Sequence, residues 1–395
     1  MSNSRDYYCS RQFNELTLHL ENRTVSACCA ADQQKIDFDD LKLSGLLNLS
    51  FIKNDRDDMI NNNRINGCEN QCWIPEDNNV PSLRLLGKTN DKIYKKSHVE
   101  NLLNINVNLG SRCALTCVYC NKMSSRSWIE DIKQNGQYNL TNTNDFYKIT
   151  KKDKVIKILD QKTLYSGNNF ENLFEHLNKN KDSILTWYVV GGEPFLYEQQ
   201  LLRLLEIIPI DAELIILSGL GVPKKKFATI IDSLKSRPNF KLGISAESIE
   251  EKYEFTRYGN SYNHFLQMLE YVRESKIKYQ FHSTLSNVTA FGYVDFIKLV
   301  DQGIHIEQSI CASPTFLKPE NMDRDSKNVV LEHIDKQNNP QFESLKQLLI
   351  AKYEVLPDDK QDLSIFLQEF ATRRNLNLNI FPKTFLKWLD IHVVQ

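Results

Sequence analysis

Residues 101–120 decide the fold. Asn101-Leu-Leu-Asn-Ile-Asn-Val-Asn-Leu109 alternates polar and apolar positions as a strand does, and it runs without a break into Gly110-Ser-Arg-Cys113-Ala-Leu-Thr-Cys117-Val-Tyr-Cys120. Three thiols spaced CxxxCxxC on one loop can wrap a cubic iron–sulfur cluster, and a 4Fe–4S cube held by three cysteines keeps one iron open for a substrate or cofactor. A zinc site with its fourth ligand elsewhere is the structural alternative. Zinc modules, however, pair CxxC units or place a His nearby, and the closest His before this loop is His98.

Beyond the loop the chain alternates strand-like and helix-like segments. ILTWYVV, AELIILSGL, KLGISAES, KYQFHSTLS and GIHIEQSI join NLLNINVNL as six strand candidates. Between them lie SGNNFENLFEHLNKN, LYEQQLLRLLEIIP, KKKFATIIDSLKS, NHFLQMLEYVRESK and AFGYVDFIKLVDQ, whose apolar positions recur at three and four residues. Such β/α alternation predicts a parallel sheet. Six strands are too few for a closed eight-stranded barrel, so a partial (β/α)6 TIM-like barrel is expected. Residues 312–395 read as helices, among them FESLKQLLIAKYEV and QDLSIFLQEFATRRN.

Before the loop, FNELTLHLENRTVSACC reads as two strands about the turn Glu21-Asn22-Arg23, and residues 54–72 form a polar segment with room for a short helix before Gly67. So little apolar sequence cannot build a large core, and a bound metal or cluster is the expected staple. Residues 86–98, LGKTNDKIYKKSH, read as a linker. The expected division is therefore 1–98, a cysteine-rich cluster-binding module; 99–311, the barrel; and 312–395, a helical region. A length of 395 residues suits two to three domains.

Composition excludes several partners. The 49 Lys+Arg against 50 Asp+Glu leave a net charge of -1, which gives no electrostatic footprint for nucleic acid or an anionic membrane. No apolar run approaches the roughly 18 residues of a membrane span; even LLRLLEIIPI is broken by Arg203, Glu206 and Pro209. MSNSRDYYCS has no basic segment leading into an apolar one, so a cytoplasmic location is expected. In a reducing compartment disulfides do not persist, and grouped cysteines read as metal or cluster ligands. Of the nine, Cys9, Cys28, Cys29, Cys68 and Cys72 precede the triplet and only Cys311 stands alone.

The ordered motifs resemble the radical S-adenosylmethionine (SAM) superfamily. After the cysteine triplet come Gly191-Gly192-Glu193-Pro194 behind WYVV, Leu217-Ser218-Gly219 where relatives carry Thr-Asn-Gly, Ile244-Ser245-Ala246-Glu247 where they carry Ser-Ile-Asp, and Tyr253-Glu-Phe-Thr-Arg257-Tyr-Gly259. The resemblance implies that Cys113, Cys117 and Cys120 hold three irons while the methionine moiety of SAM chelates the fourth. It implies Tyr119 near the adenine, Gly191, Gly192 and Glu193 on the amino group, Ser218 and Ser245 on the ribose, and Arg257 on the carboxylate. The departures at 217–219 and at Glu247 fall on the ribose positions.

The N-terminal cysteines, with ENRTVSACC and GCxxxCW, resemble the twitch and SPASM auxiliary-cluster modules of these enzymes, placed here before the barrel. Glu76, Pro81-Ser82-Leu83-Arg84, Ser124-Ser125-Arg126-Ser127-Trp128 and Phe381-Pro382 fit twitch-containing proteins. The resemblance implies a second iron–sulfur cluster on Cys9, Cys28 or Cys29, Cys68 and Cys72, one of the adjacent pair not being a ligand. A zinc site of four thiolates remains the alternative there. It further implies cleavage of SAM to a 5′-deoxyadenosyl radical that abstracts hydrogen from a substrate, with a peptide or protein side chain as the leading class and a small metabolite as another. An electron donor such as flavodoxin or ferredoxin would serve it. A non-enzymatic electron carrier or scaffold is the competing class. His282 on KYQFHSTLS and Glu307 on GIHIEQSI are candidate catalytic residues, against the plainer reading of each as a satisfied structural side chain. Cys311 reads as a buried thiol.

Overall fold

The computed structural model describes residues 6–36, 44–77, 82–86, 96–99, 103–141, 146–150, 168–300, 303–337, 339–351 and 354–392. The linker expected over 86–98 lies mostly outside these residues, as does Pro81. All six strands expected from 101 onward form: β4 (Asn104–Asn108), β5 (Thr186–Val190), β6 (Glu213–Ser218), β7 (Phe240–Ser245), β8 (Lys278–Leu285) and β9 (Ile306–Ile310). Three more precede them, β1 (Glu15–His19), β2 (Thr24–Ser26) and β3 (Gln34–Lys35). The fold is α/β with parallel strands in chain order, as a partial (β/α)6 barrel requires.

Packing divides the chain into two units. The first comprises Met1–Gly110, Ile158–Ile216 and Ala228–Lys241; the second comprises Ser111–Lys157, Leu217–Phe227 and Leu242–Gln395.

In the first unit the strand order is β3-β2-β1-β4-β5-β6. β1 and β2 form the expected antiparallel pair, with His19 opposite Thr24. β1 also pairs in parallel with β4, Glu15 opposite Asn104 through His19 opposite Asn108, so the N-terminal segment extends the main sheet. β4 and β5 alternate strictly: Ile105, Val107, Trp187 and Val189 are buried, while their neighbours are half-buried. The helix Glu198–Ile207 lays Leu201, Leu204 and Ile207 inward, three and six residues apart, as a 3.6-residue repeat dictates.

The second unit carries β7-β8-β9, with β8 and β9 parallel and Phe281 opposite Ile306. Its helices include Arg126–Asn135, Glu250–Thr256, Tyr262–Glu274, Ala290–Phe296 and, toward the C-terminus, Arg324–Gln337, Glu343–Ile350, Pro357–Arg374 and Lys383–Trp388. The C-terminal region is helical, as expected. Trp128 of the first of these stacks with Phe366 of Pro357–Arg374 at 6.2 Å between ring centres, and Tyr138 and Tyr147 close the same aromatic core.

Candidate cysteine sites and cofactor site

The triplet loop is held by its carbonyls. Ser127 Oγ donates to Cys113 O (2.7 Å), Ser125 Oγ to Leu115 O (2.7 Å), Trp128 Nε1 to Cys117 O (3.1 Å) and Tyr147 OH to Cys120 O (3.0 Å). The Ser125-Arg126-Ser127-Trp128 stretch thus acts as a peg row for the cysteine backbone. From the other side Thr116 N donates to Tyr258 O and Val118 N to Thr256 O, both at 2.9 Å. Gly259 allows this approach: its φ is +106°, and a Cβ there would lie 2.8 Å from Ala114 O. Leu115 N points at Cys113 Sγ from 3.4 Å.

Beneath the loop lies a buried charge pair. Arg257 Nε donates to Glu247 Oε2 (2.9 Å) and Nη2 to Oε1 (2.6 Å), a fork with side chains 5% and 0% exposed. Tyr119 OH donates to the same Oε1 at 2.8 Å, and the Arg257 guanidinium lies 5.6 Å from the Tyr119 ring centre. Tyr119, Glu247, Arg257 and Cys117 therefore meet. Arg257 Nη1 makes no hydrogen bond among the described residues. Burial pushes the Cys117 thiol up to about 11, against the downward pull of Arg257, and raises Cys120 too. A metal bound there would have to displace those protons. Glu247 appeared in the sequence only as a departure from Ser-Ile-Asp; its role as anchor depends on a partner ten residues away.

The remaining cofactor candidates lie at strand ends, where ligands gather in folds of this type. In the first unit Gly192 N donates to Gly110 O (2.7 Å), and a Cβ on Gly191, at φ +150°, would lie 2.9 Å from that oxygen. The two glycines thus lock onto the residue that opens the triplet loop. The Glu193 carboxylate accepts from Phe195 N and caps the short turn Pro194–Leu196. In the second unit Ser218 Oγ accepts from Leu220 N at 3.0 Å. Ser245, ending β7, is half-buried with no hydroxyl partner among the described residues. His282 and Glu307 stand opposite each other in the β8/β9 register. Cys311 is buried, its thiol raised to about 12 by burial.

The N-terminal cysteines do converge. Cys9, Cys28, Cys68 and Cys72 are all buried and line one small cavity with Arg11, Gln12, Trp73 and Arg84, whereas Cys29 is exposed. The structure therefore separates the adjacent pair: Cys28 faces the other three. Gln12 Nε2 donates to Cys68 Sγ (3.4 Å), and Ser26 Oγ to Cys28 O (2.8 Å). Trp73 is fixed by its Nε1 on Ile65 O (2.8 Å) and by Arg84, whose guanidinium lies 5.2 Å from the ring centre. Arg84 is in turn paired with buried Glu76 at 2.6 Å, and Ser82 Oγ donates to that carboxylate. Glu76, Ser82 and Arg84, distinctive in sequence, are thus the clamp on the Trp73 wall. Burial pushes Cys9 up to about 11 and raises Cys28; hydrogen bonding between Cys68 and Cys72 draws Cys72 down to about 7 and raises Cys68.

This donor set suits a cluster. Four sulfurs and no carboxylate line the cavity, and soft thiolates select iron–sulfur clusters or zinc. Among the described residues no three Cys, His, Asp or Glu side chains gather closely enough for a single ion.

Among known families, residues 107–300 match the Radical SAM superfamily. No curated protein matches the chain. Among solved structures it is similar to anSMEcpe with bound AdoMet and Cp18Cys peptide, at 14% identity over 60% of this chain and 58% of that chain with a TM-score of 0.36. It is also similar to Streptococcus suis SuiB bound to precursor peptide SuiA, at 13% identity over 89% and 77% with a TM-score of 0.36. The chain thus spans less than two thirds of the anSMEcpe chain. Among the described residues no helix is long and apolar enough to cross a membrane.

Proposed function

The chain carries a radical SAM domain over residues 107–300, and from that premise we propose that it is an enzyme that cleaves SAM reductively and takes hydrogen from a peptide or protein side chain. A radical SAM domain uses a 4Fe–4S cluster and SAM, which together supply a 5′-deoxyadenosyl radical. The observation that carries the reading is the pinned triplet loop: four side-chain donors fix the carbonyls of Cys113, Leu115, Cys117 and Cys120, leaving the three thiols on a preset frame. Arg257, held by Glu247, offers Nη1 to an anionic group, and Ser245 offers a hydroxyl at the end of β7. Tyr119 OH is committed to Glu247, which fixes its ring as a wall of the site.

At the N-terminal site, Cys9, Cys28, Cys68 and Cys72 would hold the auxiliary cluster, with Cys29 outside it. An iron–sulfur centre there suits electron transfer with a substrate or simple stapling of a small core.

Anaerobic reconstitution with iron and sulfide, followed by dithionite and SAM, tests both parts. The wild-type chain is expected to form 5′-deoxyadenosine and Cys117→Ala to form none; equal product from the two would end the radical reading. A variant with Cys113, Cys117 and Cys120 all changed to Ala should retain about four irons, the content of one cube. Zinc without iron in that variant would assign the N-terminal site to a structural metal instead.

A further inference from the structure

The second unit carries a polar strand face that the cysteine sites do not use. Along β8, Phe281 and Leu285 are buried, and Phe281 packs edge-on against Phe296 of the helix Ala290–Phe296 at 5.0 Å between ring centres. Strand alternation therefore turns Gln280, His282 and Thr284 to the opposite face. The β8/β9 register sets His282 beside Glu307 and Thr284 beside Ser309, and registered partners share a face. The contacts agree: His282 Nε2 lies 2.9 Å from Ser309 Oγ, and Gln280 Nε2 donates to Glu307 Oε2 at 3.0 Å. Gln308 turns the other way, donating to Tyr293 OH.

This face abuts the groups beneath the triplet loop. Thr284 N donates to Glu247 Oε1 (3.2 Å), the oxygen that also accepts from Tyr119 OH. A molecule lying along β8/β9 would therefore approach the cysteine loop. Charge narrows the choice of molecule. Arg257 is already matched by Glu247. Glu307, in contrast, has no Lys or Arg partner among the described residues, and only its Oε2 accepts a hydrogen bond. Burial lowers the His282 pKa, so its imidazole brings no competing positive charge at neutral pH. The face thus presents one carboxylate oriented by Gln280, with neutral imidazole and hydroxyl groups around it.

We propose that the Gln280, His282, Glu307 and Ser309 face is the substrate wall and that Glu307 receives the ammonium or guanidinium of a Lys or Arg side chain in a peptide. The assignment rests on the radical SAM reading for its role, though not for its chemistry: a lone carboxylate on a partly buried wall is matched by a cation that brings its own donors. Glu307 is the recognising group, and Gln280 positions it.

The test uses immobilised, reconstituted full-length protein with SAM and nonapeptides randomised over non-basic residues around a central Lys, Arg, norleucine or Glu. Mass spectrometry counts the peptides retained. Lys- and Arg-centred peptides are expected at least tenfold over norleucine. Glu307→Gln should level that preference, and Glu307→Lys should transfer it to the Glu-centred set. Equal retention of Lys- and norleucine-centred peptides by the wild type overturns the site, as does retention of none. A preference that survives in both variants, each checked for a wild-type melting curve, overturns the role of Glu307. Formation of 5′-deoxyadenosine by the wild type in the same preparation reports separately on the radical reading, so a basic-peptide preference without cleavage would leave the wall and sink the chemistry.

Discussion

Arg257→Ala leaves the Glu247 carboxylate fully buried, with Tyr119 OH and Thr284 N alone among the described residues to satisfy it. Breaking a buried ion pair from one side typically costs about 3–5 kcal/mol, because the remaining charge stays desolvated. The expected result is a large fall in the denaturant midpoint, of which the double variant Glu247→Gln/Arg257→Ala recovers at least half. An Arg257→Ala midpoint within error of wild type would mean the pair is not closed in solution. A second residue sets a pH dependence. Burial, with Asp58 and Asp32 nearby, raises Asp55 to about 6. In the unfolded chain an Asp titrates near 3.9. Between those values the folded state binds the extra proton, so this contribution to stability is complete below about pH 4 and is lost as the pH rises through about 6. Asp55→Asn should therefore stabilise at pH 7.5 by about 1 kcal/mol, discounted for partial exposure, and change nothing at pH 3.5; urea titrations at the two pH values decide. Residue-level reading of the sequence reached the candidate cysteines but not their surroundings. Whether Cys28 or Cys29 faces inward depends on how the chain leaves β2, and the partner of Arg257 depends on tertiary approach.

At the scale of elements, the triplet loop, the peg row Ser125–Trp128 and the turn at Gly259 behave as one part. Gly259→Ala puts a Cβ against Ala114 O in a left-handed backbone conformation that costs a non-glycine residue about 1–3 kcal/mol. The loop must then shift, so the variant should lose iron from the triplet site while the N-terminal iron is kept, and iron counts in the wild-type and Cys9→Ser backgrounds would show it. Unchanged triplet iron would mean that the loop tolerates displacement. The strands and helices of the chain were legible because their signal is local: ILTWYVV is a short apolar run, KYQFHSTLS alternates with a period of two, and LYEQQLLRLLEIIP repeats at three to four. The parallel union of β1 with β4 was not, since Thr17 and Asn106 meet across 89 residues of sequence and neither strand carries a mark of its partner.

For the whole molecule, that union ties the segment before residue 98 to a strand that follows it. The fragment 1–98 lacks β4 and keeps β1 paired only with the three-residue β2, and a two- or three-strand remnant with so small a core is marginal in water. It is expected to show no cooperative unfolding by circular dichroism and to retain no iron after desalting; a folded, iron-bearing fragment would show that the segment does not need β4. The parallel strand also has a consequence in time. At roughly 5–20 residues per second of synthesis, β1 leaves the ribosome about 4–18 s before the strand it must join. During that interval Cys9 and Cys28 are present in the cell on a chain that cannot yet close around them, open to stray metal and to oxidation. The cysteines made first are thus among those enclosed late, and a translational pause before residue 104 would lengthen the time in which the nascent protein is vulnerable.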